Sequence, residues 1–165
     1  MSKILQVVVV ILLTLVTAQN GLCDERYAND EALTGVHSVK AYFDVNVGEP
    51  EKLLACLDLI DTTFTQLQTA GLTPNFVIGI RGGASNFFTI NDRYILDIDR
   101  KYREAVENWV RKGRDRGYSL EQCRIAAKLQ EIDLGDFLPL IEIVANGYVS
   151  MIGYQSQGYA FVPVD

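Results

Sequence analysis

Histidine is nearly missing: His37 is the only one in 165 residues. With a single imidazole no Ser/His/Asp arrangement is arguable, and no carboxylate or cysteine is set beside His37. Cysteine is scarce too, with Cys23, Cys56 and Cys123 widely spaced. No CxxC occurs and no Cys/His cluster has ligand spacing, which excludes the usual zinc sites and the dithiol redox motif. Basic excess is lacking: 15 Lys and Arg stand against 21 Asp and Glu, a formal charge of -6. Without that excess the chain has no counterion-release drive toward nucleic acid and no electrostatic grip on anionic lipid. Neither a Walker A loop nor GxGxxG is present, so no nucleotide cofactor is implied. Small molecules, a thiol carrier or another protein remain as partners.

What is present begins with a leader. Lys3 supplies a positive start, Ile4 to Val16 is almost wholly aliphatic, and Val16-Thr17-Ala18 puts small or aliphatic residues at cleavage positions. A membrane span needs about 20 apolar residues, and Gln19-Asn20 arrives before that. The expectation is a signal peptide over 1–18, cleaved after Ala18, and a periplasmic or secreted product. Cleavage after Cys23 and an uncleaved anchor are the alternatives. Residues 19–36 are polar and mixed and read as a flexible lead-in. Residues 37–165 suit one domain.

From His37 onward, strand patterns alternate with helix patterns, which predicts βαβ units and a mainly parallel sheet. Strands are expected at Val39–Val45, Asn75–Ile80, Tyr118–Gln122, Leu140–Val144 and Tyr159–Val162, the last ended by Pro163. Pro50 suits the first turn of a helix, whose stripe Leu53, Leu57, Ile60, Phe64 and Leu67 recurs at helical spacing. Cys56 falls on that stripe and reads as buried. A second helix, about Asp97 to Lys112, has Ile98, Tyr102, Ala105, Val106 and Trp109 as its core face. Asp99/Arg103 and Glu107/Arg111 fall on its wet side as i,i+4 pairs. A short helix follows Cys123, and another covers Gly147–Gln155.

Cys123 is the main candidate for chemistry. It stands where a strand gives way to a helix, at the sheet edge where α/β proteins bind ligands. A thiol at a helix N-terminus is favoured as thiolate. Arg124 pushes the same way, and Glu121, on the same strand face, opposes it. An inert, buried thiol is the other reading. Arg81-Gly82-Gly83 also follows a strand. Its amides and guanidinium suit an anion or an oxidised sulfur group, and a tight turn with Arg81 in a salt bridge is the other reading. His37 reads as a surface residue. Tyr148, Tyr154, Tyr159 and Phe161 read as core or subunit interface.

The C-terminal stretch IEIVANG with QSQGYAF, together with FDVNVGEPEKLLACLD and FVIGIRGGAS, closely resembles the DsrE/DsrF-like family, an exported member of it. The resemblance runs from about Val39 to Val162. It implies a three-layer α/β/α fold with about five strands, and homo-oligomers, commonly trimers or hexamers. It also implies a cysteine that carries a persulfide in sulfur-transfer members, and Cys123 falls on that position. The function expected is therefore a sulfur carrier or sulfurtransferase subunit, with Cys123 catalytic and with Arg81, Gly82 and Gly83 binding. Its partner would be a sulfur donor or acceptor protein or a small sulfur compound. The alternative is a non-catalytic oligomeric binding or assembly protein of the same fold. A thiol redox protein with Cys23 as resolving thiol is a third reading.

Overall fold

A computed structural model describes residues 28–165. The leader, its cleavage site and Cys23 lie outside the described residues. Two units are separable, Met1–Gly35 and Val36–Asp165. In the first, a single helical turn, α1 (Asp30–Leu33), stands where the sequence reads only as flexible lead-in.

The second unit is built as β1 (Ser38–Val45), α2 (Pro50–Thr69), β2 (Thr73–Ile80), α3 (Arg100–Asp115), β3 (Ser119–Cys123), α4 (Arg124–Leu129), β4 (Glu142–Val144), α5 (Gly147–Ser156) and β5 (Ala160–Val164). All five strands are parallel, in the order β4-β3-β2-β1-β5. The fold is α/β with helices on both faces of the sheet, as the strand–helix alternation predicts. Its layering follows from handedness. From β1 to β4 the chain steps steadily one way across the sheet. It then jumps back beyond β1 to β5. Right-handed crossovers put the helices of the two directions on opposite faces. Hence α2 and α3 cover one face, and α5 covers the other.

The α2/α3 face is the apolar core. Phe43, Val45, Phe76, Ile78, Ile80 and Leu120 from the strands meet Leu53, Leu57, Ile60 and Phe64 of α2 and Val106, Trp109 and Val110 of α3. Each such burial contributes about 1.5–3 kcal/mol. Pro50 opens α2, and Gly71 (φ +80°) closes it, with Leu72 N–H bonded to the Leu67 carbonyl at 3.0 Å. Cys56 is half-buried against this core.

Several expectations change. Residues 97–99 form a separate 3-10 turn and α3 starts at Arg100, so Ile98 leaves the expected stripe and is 77% exposed. Arg103, expected on the wet side with Asp99, turns inward to Asp92 (2.6 Å) and Glu107 (3.0 Å). The Glu107–Arg111 pair does form. Pro163 does not end β5 but lies within it. That strand is at the sheet edge, where a missing N–H is tolerated. The fourth strand is shorter than read, with Leu140 in the turn before it. His37 is exposed, as expected.

Candidate functional site

The second face of the sheet is polar. Successive strand residues alternate faces, so Tyr42 and Asp44 of β1, Gly79 of β2, and Glu121 and Cys123 of β3 all lie beneath α5. Asp44, Gly79, Glu121 and Glu142 stand in one row across four strands. Just past the end of β2, Arg81 donates from Nε and Nη2 to the two Asp44 carboxylate oxygens, each at 2.6 Å. This bidentate pair is strong and directional. Asp44, through its hydrogen bonds, holds the Arg81 guanidinium above its ordinary pKa. Nη1 takes no part in the pair.

Cys123 ends β3 and is the cap residue of α4. Its residue is 7% exposed, and its Sγ accepts a hydrogen bond from Gly147 N–H at 3.2 Å. The sequence reading looks to the helix directly after Cys123 for a donor. The structure supplies one from α5, 24 positions further on. Asn146 fixes the start of that helix, its Oδ1 accepting from Tyr148 N–H at 3.0 Å. A Cβ at position 147 would stand 3.1 Å from Cys123 Cβ and 3.4 Å from Sγ, so any larger residue would press on the cysteine.

Cys123, Arg81 and Gly82 share a cavity of about 220 Å³ with Asn146, Tyr148 and the α4 wall formed by Ile125, Ala126, Leu129 and Gln130. It lies outside the C-terminal ends of β2, β3 and β4, where open α/β sheets hold ligands. Two of the three residues read as a binding turn therefore reach the thiol's cavity. Gly82 has φ +58° and presses on Asn46, so no other residue fits easily. Gly83 does not line the cavity. It packs on Gly48, where a Cβ would come within 2.8 Å of Gly48 Cα, and so joins the β1 and β2 loops. Arg124 lines a different groove, with Lys128 and Glu131.

Sequence reasoning missed Asn146, Gln130, Tyr42 and Asp44. Asp44 had a readable signal, an acid near the end of an apolar strand adjacent to one that ends in Arg81. Tyr148, expected in the core or a subunit interface, is not in the core of the chain: it is 59% exposed at the cavity, and the Arg81 guanidinium lies 5.6 Å from its ring centre. Gln122 enters the sequence reading only as the end of the expected strand Tyr118–Gln122. It is fully buried on the other face and donates to Ser85 Oγ (3.0 Å) and the Cys123 carbonyl (2.9 Å), tying the end of β3 to the turn after Arg81. Among the described residues no cluster of His, Cys, Asp and Glu is arranged to hold a metal ion.

No family model matches the chain. An uncharacterized protein of Aquifex aeolicus is 28% identical over 130 residues, covering 76% of this chain and 56% of its own length. The chain thus spans little more than half of that relative. A solved structure of a protein of unknown function from Methanobacterium thermoautotrophicum superposes with a TM-score of 0.59 at 13% identity, covering 77% of this chain and 98% of the other. That likeness concerns the fold alone.

Proposed function

We propose that this chain is a sulfur carrier or sulfurtransferase subunit that holds a persulfide on Cys123. The observation that carries the reading is a thiol on the wall of an open cavity, with a backbone N–H on its sulfur and a guanidinium on the same wall. A thiolate at Cys123 attacks the outer sulfur of a persulfide R–S–SH. The S–S bond of the donor breaks, R–S⁻ leaves, and Cys123 becomes Cys–S–SH. Arg81 and the Gly147 and Gly82 amides favour the negative charge as it passes between sulfurs. The leader read from 1–18 assigns this chemistry to a periplasmic or secreted setting.

The same reading includes a homo-oligomer, a trimer or hexamer. Its support is α5, which carries no charge and leaves Val149 and Ile152 exposed, with Phe161 of β5 exposed as well. Light scattering on the purified chain tests it.

The test of the carrier is mass spectrometry with peptide mapping after incubation with polysulfide. Addition of 32 Da multiples, about one sulfur each, is expected on the Cys123 peptide and absent in Cys123→Ser. Equal loading of the two proteins would end the reading.

A further inference from the structure

The cavity at Cys123 has two unlike sides. Ile125 and Leu129 of α4 form an apolar wall, and both stay exposed, at 46% and 76%. Scattered exposed aliphatics are ordinary, but these two border the same opening as the thiol. Arg81 and Asn146 supply the polar side. The Asn146 amide is oriented, because its Oδ1 accepts from Tyr148 N–H, and Nδ2 is left to donate. Arg81 commits Nε and Nη2 to Asp44, and Nη1 is left. Apolar lining with a few convergent donors is the usual make-up of a small-molecule site. The space is small: about 220 Å³, the liquid volume of about seven waters.

Charge narrows the ligand further. Asp44 offsets the charge of Arg81. Glu121 adds a second carboxylate on the Cys123 face of β3, two residues from the thiol. It is 7% exposed, its Oε1 accepts from Tyr154 O–H at 2.6 Å, and its Oε2 is buried with no hydrogen-bond partner. Two carboxylates thus stand against one guanidinium around the sulfur. Repulsion grows in proportion to the charge of the ligand, so a dianion meets about twice what a monoanion meets. Thiosulfate is such a dianion, and it has no hydrocarbon to lay on Ile125 and Leu129.

We propose that the donor for Cys123 is a short organic persulfide, an aliphatic stem carrying one carboxylate, and not an inorganic sulfur oxyanion. The stem lies along α4, and its carboxylate takes Arg81 Nη1 and Asn146 Nδ2. Cys123 thiolate attacks the outer sulfur, and the bond to the inner sulfur breaks. Cys123 becomes Cys–S–SH, and the stem leaves as a thiolate that takes a proton from water. The inference rests on the carrier reading of Cys123 and names the donor class that reading leaves open.

The first arm of the test involves no sulfur transfer. The full chain is alkylated with iodoacetamide at about pH 8, near the ordinary thiol ionisation, and the rate at Cys123 is read by peptide mapping. Acetate, butanoate and hexanoate are added at equal ionic strength. Protection deepens along the series, the half-protecting concentration falling about two- to fourfold per methylene. Hexanamide lacks the charge and adipate puts a second one against α4, so each protects about tenfold less well than hexanoate. Leu129→Asp, a change at an exposed position, weakens hexanoate protection by a similar factor. No trend with chain length overturns the proposal. So does adipate, sulfate or hexanamide protecting as well as hexanoate, or unchanged protection in Leu129→Asp. In the second arm Cys123 is offered the persulfide of 4-mercaptobutanoate or thiosulfate, and faster loading from the persulfide is expected. Equal or faster loading from thiosulfate overturns the proposal. Protection without loading from either donor supports the ligand class and ends the carrier reading. Loading without protection ends the ligand class and leaves the carrier reading standing.

Discussion

The two faces of one sheet divide the work of this molecule. Toward α2 and α3 the strands present Phe43, Val45, Phe76, Ile78, Ile80 and Leu120. Toward α5 the same strands present Tyr42, Asp44, Gly79, Glu121 and Cys123. The first face gains its stability by excluding water from apolar area. The second gains little that way. Its polar groups are bearable only because most are paired, Asp44 with Arg81 and Glu121 with Tyr154. The lesson is that a parallel strand buried on both sides need not be apolar on both. A layer covered by a single helix can hold ionisable groups close to a cavity.

The contrast can be broken from either side. Phe76→Ala removes a ring packed against Phe43, Phe64 and Tyr118 and is expected to cost about 3–5 kcal/mol in urea unfolding. In the folded protein, alkylation of Cys123 should keep its parental rate. Arg81→Met leaves Asp44, 5% exposed, without its partner. It should cost about 2 kcal/mol and also alter the alkylation rate. Asp44→Asn in the same chain should return part of the stability, which a double-mutant cycle measures.

A smaller effect appears only in alkali. Burial is the foremost cause holding Tyr42, Tyr118 and Tyr154 above the ordinary phenol value. In the unfolded chain they ionise near pH 10. Folded pKa values above unfolded ones mean that their contribution is complete below about pH 10 and is lost as pH rises past it. Absorbance of tyrosinate should therefore lag until unfolding begins. Tyr154→Phe and Tyr118→Phe should each flatten the alkaline fall in unfolding midpoint.

Much of the architecture was legible because its signals are local. The stripe from Leu53 to Phe64 and the apolar run Phe76–Ile80 each carry their own period, and Pro50 and Gly71 mark their helix's ends. Ile98 misled because a 3-10 turn shifts the register just before α3, and nothing in the periodicity marks that break. Cys123 and Arg81 were legible as positions, since both stand at strand ends. Their surroundings were not. The Gly147 donor and the Asp44 partner come from 24 and 37 residues away, and only strand order brings them together. Glu121 was legible as a neighbour of Cys123, but its bond to Tyr154 and its bare second oxygen depend on how α5 crosses the sheet.

Trp109 is the sole tryptophan of the chain, and its indole N–H donates to the Leu57 carbonyl at 3.0 Å between α3 and α2. Intrinsic fluorescence therefore watches one side of the sheet only. A loosening of α5 would pass without changing the colour of that emission, whereas Cys123 would register it through faster labelling. Following the two signals together through denaturant tells whether the layers come apart in one cooperative step or in sequence.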